Sequence, residues 1–474
     1  MERVVLLLRR LLATAGCGAL IAAAATAASA QVVRDPPTPF GPLRYTDDFQ
    51  DPASLTGVLD DLKNIPIGGA PDFYVNFGGS LRERFESFSE PAFGFRDAGG
   101  SSGESYLLHR ALVQADVHLG PSFRIFTQIG DELEAGRTPG PAPTDVDRLD
   151  LAQGFFEANL PVTDEGQLGF RGGRQEMMFG SNRLVDIREG PNIRESFDGA
   201  RAWFESEDAR IDAFWTRPVD NKQSLFDDRP DPNQQFYGVY GTAPVAPLPG
   251  LNVDLYYLGL IRRNAVLDAG QADERRDTVG ARLFGHAGPI DYNIEGDYQY
   301  GRFGDRAIDA FAVFSDIGWT FASLWGAPRI GAKADVASGG NSRGSGSLGT
   351  FYPLFPKNNY FSEANIQTAM NYIDVYPSLQ IQPRRDLAFT AGIEWLWRED
   401  TRDGFYQPPG LPVVAGNANG RRYLGTSSTA QVEWLATANC DVNLAYTHFA
   451  TDGFLKAAGA KDIDWIGVWT TFNF

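Results

Sequence analysis

Leu387-Ala388-Phe389-Thr390-Ala391-Gly392-Ile393-Glu394-Trp395-Leu396-Trp397-Arg398 is the stretch that decides the fold. Leu387, Phe389, Ala391, Ile393, Trp395 and Trp397 share one parity, and Thr390, Glu394 and Arg398 share the other. That is the period-two pattern of a strand with one apolar and one charged face. A strand of a soluble sandwich also alternates, but its apolar face closes on a core. Here tryptophans crowd the far end, where an interfacial girdle of a membrane barrel would stand.

The pattern recurs along the chain. Phe77, Gly79, Leu81 and Phe85 oppose Ser80, Arg82, Arg84 and Glu86, with Glu83 as the exception. Ala111, Val113, Ala115 and Val117 oppose Arg110, Gln114, Asp116 and His118. Val279, Ala281 and Leu283 oppose Arg276, Thr278 and Arg282, and Tyr292, Ile294, Tyr298 and Tyr300 oppose Asp291, Glu295, Asp297 and Gln299. About eighteen such segments can be read, which predicts an all-β, antiparallel transmembrane barrel with an even strand number. Connections alternate as that topology requires. Long ones include Pro91 to Glu104, Gly180 to Ser196, Asn264 to Glu274 and Ser338 to Met370, with Gly301 to Arg306 a short exception. Short ones include Gly120-Pro121, His286 to Pro289 and Ala436 to Asn439. The chain ends on Phe474 with Ile466, Val468, Thr470 and Phe472 in step, as in the last strand of an outer-membrane barrel.

Composition sets the remaining bounds. The 474 residues are 43% hydrophobic with a mean hydropathy of -0.26, unremarkable for a wall in which only alternate residues meet lipid. Arg3, Arg9 and Arg10, the apolar run Leu11 to Ala25 and Ala28-Ser29-Ala30 read as a secretory signal over residues 1–30. Residues 31–75 are Pro- and Asp-rich and read as a periplasmic lead-in that adds little to stability, and residues 76–474 read as the barrel. Removing three arginines and one glutamate with the signal takes the net charge from -18 to -20, which argues against nucleic acid as a partner. Cys440 is then the sole cysteine, so a disulfide or thiolate metal site is not expected. The four histidines stand near no hydrolase or metal motif, and no cofactor is expected.

A second stretch organises the chemistry. Phe170 to Arg201 carries Arg171, Arg174, Arg183, Arg188, Arg194 and Arg201 among glycines and acids, with Gly190-Pro191-Asn192 as a turn. Guanidinium forks in a wet loop suit carboxylate or sulfate ligands. They can equally pair with Glu176, Asp186, Glu189, Glu195 and Asp198 and stiffen the loop. G-R-Q-E followed by F-G-S-x-R-L-V-D-x-R-x-G-P-N-x-R-x-S-F-D-G-A-R resembles the signature of the alginate-export family of outer-membrane barrels. Thr350-Phe351-Tyr352-Pro353-Leu354-Phe355-Pro356, preceded by Ala337-Ser338-Gly339, resembles a second loop of that family, although Gly340 stands where an Asp is expected.

The resemblance implies a Gram-negative outer-membrane channel exporting an anionic polysaccharide, surrounded by lipid and served by periplasmic secretion partners. A substrate-specific or general uptake porin is the alternative, because the connection before Cys440 is very short where the namesake carries a longer loop. An outer-membrane enzyme is the reading from a different class. A monomer is expected. The candidate pore-lining, substrate-binding residues are Arg82, Arg84, Arg110, Arg174, Arg201, Arg276, Arg282, Arg329 and Lys333, with Glu295 and Asp297. Rings of such groups would sort permeants by sign, or they would only bridge strand to strand. Arg174 needs a special device: alternation from Leu168 and Phe170 turns it to lipid, at ~2 to 4 kcal/mol at mid-depth, unless a bulge at Gly172-Gly173 shifts the parity. Extracted in detergent, the protein is expected to give a strand-dominated circular dichroism spectrum and to migrate differently in heated and unheated gels. A helix-rich spectrum would overturn the barrel.

Overall fold

The structure is a computed structural model that describes residues 38–474 except 51–53, 71, 96–102, 164, 247 and 341–345. The signal over residues 1–30 and Cys17 lie outside the described residues. Eighteen long strands build the wall: β1 (Phe73–Phe88), β2 (Glu104–Leu119), β3 (Phe123–Ala135), β4 (Asp147–Thr163), β5 (Gly166–Gln175), β6 (Phe197–Ser206), β7 (Arg210–Asp220), β8 (Gln234–Pro244) and β9 (Leu251–Leu267), then β10 (Gly270–Ala287), β11 (Ile290–Phe303), β12 (Arg306–Thr320), β13 (Arg329–Ala337), β14 (Tyr372–Arg384), β15 (Leu387–Trp397), β16 (Tyr423–Thr437), β17 (Cys440–Thr451) and β18 (Ile463–Asn473). Each pairs antiparallel with its neighbours in sequence, and β1 also pairs with β18, from Ser80↔Asn473 to Phe88↔Trp465. The sheet therefore closes on itself and leaves no long edge unpaired.

Alternation decides what faces where. Phe389, Ile393 and Trp395 on β15 are exposed on the outer wall, while Glu394 and Leu396 are buried inside. The same division holds on β11, where Ile294, Tyr298 and Tyr300 face out and Glu295, Asp297 and Gln299 face in. Glu83, the residue that broke the pattern of β1, points outward and meets His109 Nδ1 at 2.6 Å. The end of the barrel with the short turns, the described lead-in and Phe474 is the periplasmic end.

Two expectations need correction. Asn264 to Glu274 is not a loop: β9 and β10 stay paired up to Leu267↔Gly270, with one irregularity between Arg262 and Ala265. The segment looked like a loop because both of its faces carry polar residues, but a strand that rises beyond the lipid no longer needs an apolar outer face. The lead-in, moreover, is joined to the wall. β1 starts already at Phe73 and runs below the end of β18. Part of the resulting free edge is taken by the short strand Ile65–Pro66 (Ile65↔Val75) and by Lys63 Nζ on the Phe77 carbonyl at 2.6 Å, and Arg44 Nη1 adds a bond of 2.9 Å to the Gly79 carbonyl, which Phe474 N already pairs. These contacts run against the expectation that it adds little to stability.

Gly172 and Gly173 do not form a bulge. β4, β5 and β6 keep continuous register through both, with Gly173 opposite Phe155 and Gly199. Gly173 is required there for another reason: its φ is +132°, and a Cβ would sit 2.3 Å from the Gly154 carbonyl oxygen. Gly173→Ala should therefore destabilise the barrel by about 1–3 kcal/mol. The check is the temperature at which the folded gel band disappears; an unchanged temperature would contradict the strain assigned to this position.

Candidate functional site

The lumen is narrowed by its own loops. The connection from Glu176 to Ser196 and that between β13 and β14 both fold inward, and there the two sequence motifs meet. Val185 and Phe355 form a parallel bridge. Asp186 N donates to the Phe355 carbonyl at 2.8 Å, Phe355 N to the Leu184 carbonyl at 2.9 Å, and Lys357 N to the Asn182 carbonyl at 2.8 Å. Met177, Phe179, Phe351 and Phe355 pack from these loops onto the inward Phe197, Phe214 and Phe236. One side of the barrel is thus filled by an aromatic ridge. Beside Gly340 stands the carboxylate of Asp403, which accepts from Gly340 N at 3.0 Å and from the Thr350 hydroxyl at 2.5 Å.

The tip of the first loop crosses toward β1 and β2. Asn192, fully buried, anchors it: its Nδ2 donates to the carbonyls of His109 (3.0 Å), Leu133 (3.1 Å) and Asp145 (2.8 Å). This holds Glu189 beside three guanidiniums. Arg82 donates to the Glu189 carbonyl at 2.6 Å and the Pro191 carbonyl at 2.9 Å, Arg110 bonds the Glu189 carboxylate directly, and Arg194 lies 3.3 Å from it. Enclosure raises the Glu189 carboxyl, but Arg110, Arg194 and Arg82 outweigh that and hold it at about 2. Its side chain remains 48% exposed to the lumen, while Arg82, Arg110 and Arg194 are buried behind it. Below it, Arg194 also pairs with Glu176 at 3.1 Å. Burial pushes the Glu176 carboxyl up to about 7, against the pull of Arg194.

Open space lies on either side of this cluster. Toward the outside is a cavity of about 190 Å³ with Arg84, Glu86, Tyr106, Arg137 and Pro191 in its lining. Toward the periplasm is one of about 410 Å³ with Tyr45, Arg124, Arg171, Arg201 and Trp203 in its lining. Along β1 the outer cavity reaches down to Arg84 and the inner one up to Asn76. Arg82 stands between them.

The other candidate residues divide by role. Arg84 faces the outer cavity, bound to Glu86 at 2.6 Å and to the Glu363 carbonyl at 3.1 Å. Arg201 faces the inner cavity and donates to Asp212 at 2.8 Å; Phe197 and Trp203, which share its parity, also point inward and pack against the filling. Arg276 is buried against Glu274 (2.8 Å), Gln299 (2.7 Å) and the Thr350 carbonyl (3.0 Å), a strut between wall and loop. Arg282 pairs with Asp254 at 2.6 Å and Lys333 with the Tyr360 carbonyl at 2.9 Å. Arg329 is held by Asp291 and Asp316, both at 2.9 Å. Glu295 accepts from Ser181 (2.7 Å), Tyr256 (2.6 Å) and Arg183 (2.9 Å), and Asp297 accepts from Tyr256 at 2.6 Å. Removing one member of such a buried pair typically costs ~3–5 kcal/mol, so these groups brace the filling.

Arg174 is the exception and a correction. With no bulge it keeps the parity of Leu168 and Phe170 and points away from the lumen at the outer end of β5. There Asp198 binds it at 3.1 Å through both oxygens, and the Leu151 carbonyl accepts at 2.8 Å. Asp150 and Asp228 come within 4.0 and 3.8 Å of it. With Asp147 these two form a carboxylate group whose oxygens lie within 4.8 Å of one another, and Arg174 supplies positive charge beside it.

Sequence reasoning left out Glu363, which answers Arg84, and Arg124 of the inner cavity, and it named Glu189 only as an internal partner of the loop arginines. Glu189 had a signal, since it precedes the Gly190-Pro191-Asn192 turn. Arg124 had one as well, since it shares the inward parity of Phe126 on β3 and meets Asp116 of β2 at 2.6 Å; Glu363 had none, because only the folded loop brings it to Arg84.

The alginate export family matches this chain over residues 73–468. No match was found among curated proteins. Similar solved structures are Pseudomonas aeruginosa OccK2 (OpdF), with a TM-score of 0.55 and 8% identity over 84% of this chain and 97% of that one, and Pseudomonas aeruginosa OpdQ, with a TM-score of 0.54 and 10% identity over the same shares. A third, Pseudomonas aeruginosa OccK8 (OprE), has a TM-score of 0.53 and 10% identity over 84% of this chain and 98% of its own. At such identities the likeness speaks for the barrel fold alone. The family match spans nearly all of the wall, and this chain belongs to the alginate export family.

Proposed function

We propose that this protein is a monomeric outer-membrane channel that passes a hydrophilic anion, of the carboxylated-sugar kind that the family's name implies. The observation that carries this is the cluster of Arg82, Arg110 and Arg194 around one half-exposed Glu189, set between two cavities. Three guanidiniums against Glu189 and a nearly half-protonated Glu176 leave a positive balance where the lumen is tight and the dielectric is below that of water. Arg82 and Arg110 are buried behind Glu189, so they would act on a passing carboxylate through their field rather than through free donors. The pairing with Glu189 keeps them from holding any one anion for long. A second reading, an uptake porin for single sugar acids, is favoured by the turn between Thr437 and Cys440, which leaves no long periplasmic loop there. Liposome swelling separates the two: entry of monomers with exclusion of oligomers supports uptake.

Arg82→Gln with Arg110→Gln should shift the reversal potential in a salt gradient toward cations, in planar bilayers, with the heat-shifted gel band retained. A double variant with unchanged selectivity would remove this cluster from the permeation path. Selectivity should also depend on pH. Protonating Glu176 removes a negative charge, so anion preference should rise as pH falls from 8 to 6 and be lost as pH climbs back through about 7. Glu176→Gln should fix the high-preference state throughout that range.

A further inference from the structure

We infer that residues 38–49 are a withdrawable stopper, so that the periplasmic mouth is narrowed by the chain's own N-terminal strap. This rests on the reading of the protein as a channel and not on the sign or identity of the permeant.

The strap follows one arc of the mouth, from the β16–β17 turn past the seam to β3 and β4, and borders the inner cavity there. At one side Thr38 donates to the Ala438 carbonyl at 3.0 Å, in the turn between β16 and β17. At the seam of the barrel Arg44 Nη1 bonds the Asn473 side chain at 3.0 Å and Nη2 the Phe474 carbonyl at 3.3 Å. Beyond the seam Tyr45, only 4% exposed, enters the lumen between inward residues of β3 and β4. Its ring meets Phe126 and Phe155 edge-on at 6.1 and 5.4 Å, and Arg171 covers its face at 3.9 Å. Its hydroxyl donates to the Glu176 carbonyl at 3.0 Å, from beneath the loop that carries Glu189.

Two features make this a stopper rather than a piece of wall. Its only regular element is the single turn Arg44–Thr46, and no wall strand pairs with it, so it can leave without breaking the sheet. The part of the lead-in that does pair with the wall, Ile65–Pro66, lies further along the chain and would remain as its tether. The strap also occupies cations that a permeant would meet. Arg124 donates to the Tyr45 carbonyl, Arg194 to the Pro42 carbonyl, and Arg171 is stacked on the Tyr45 ring. Withdrawal would therefore widen the mouth and turn three guanidiniums toward the lumen at once.

The test is single-channel conductance in symmetric potassium chloride, which reads opening independently of selectivity. Tyr45→Ala combined with Pro42→Gly leaves Arg44 and its seam contacts intact. Full-length protein carrying both changes should conduct at least about twice the unaltered mean, with the heat-shifted band still present. A synthetic peptide of residues 38–49, added from the periplasmic side, should bring the current back down, and the same peptide with Tyr45 replaced by Ala should not. Tyr45→Phe, which loses only the bond to Glu176, gives a milder variant that retains the ring: its openings should be more frequent. Folded barrels of both variants that conduct like the unaltered protein, or a current indifferent to the peptide, would overturn the stopper.

Discussion

Lipid offers no partner to a peptide N–H, and the rest of this structure follows from that constraint. β1 must therefore meet β18, and where β1 runs on past the end of its partner, Lys63 and Ile65–Pro66 take up part of the free edge. Closure with eighteen strands encloses far more space than side chains of the wall can fill. That interior is what the inward loops, with their aromatic ridge, come to occupy. The hydrophobic packing of this protein is thus turned inside out twice: the lipid-facing surface is apolar, the inner wall is charged, and the loops carry a small apolar core of their own into the lumen.

The charged inner wall and the apolar loops are reconciled by arginine. Arg276 joins an acid of its own strand to a loop carbonyl, and Arg183 joins the first loop to Glu295 and packs 5.3 Å from the ring of Phe314. A guanidinium can do both because it is planar, weakly hydrated and rich in donors. Most of the arginines are consumed in this way. The few around Glu189 differ because the acid facing them is itself open to the lumen.

Alternation made the wall legible: once one face must meet lipid, parity assigns each side chain on a regular strand, and the residues of β11 and β15 fall where it puts them. Parity also gave the correct side for Arg174 before a bulge was invoked to rescue it. The rescue was unnecessary because a polar group that points outward above the membrane can be met by Asp198 and the segment around Asp228. The hairpin at Asp268 was missed for the same reason, as the apolar signal stops where the lipid stops. The constriction was legible only in part. Its arginines lie on strands or in a recognisable motif, whereas Glu363 and Tyr45 reach the lumen by tertiary placement of irregular chain, which no periodicity records.

The bridge between Val185 and Phe355 joins segments that lie far apart along the polypeptide, one before the sixth strand and the other before the fourteenth. The loop-closure cost grows only slowly with such separation, and it is the closed wall, joined at Ser80↔Asn473 across a still longer stretch of chain, that holds the two loops side by side. Ring and filling are thus two separate contributions to the passage: the strands set its outer width, and the bridged loops alone make it narrow enough to discriminate.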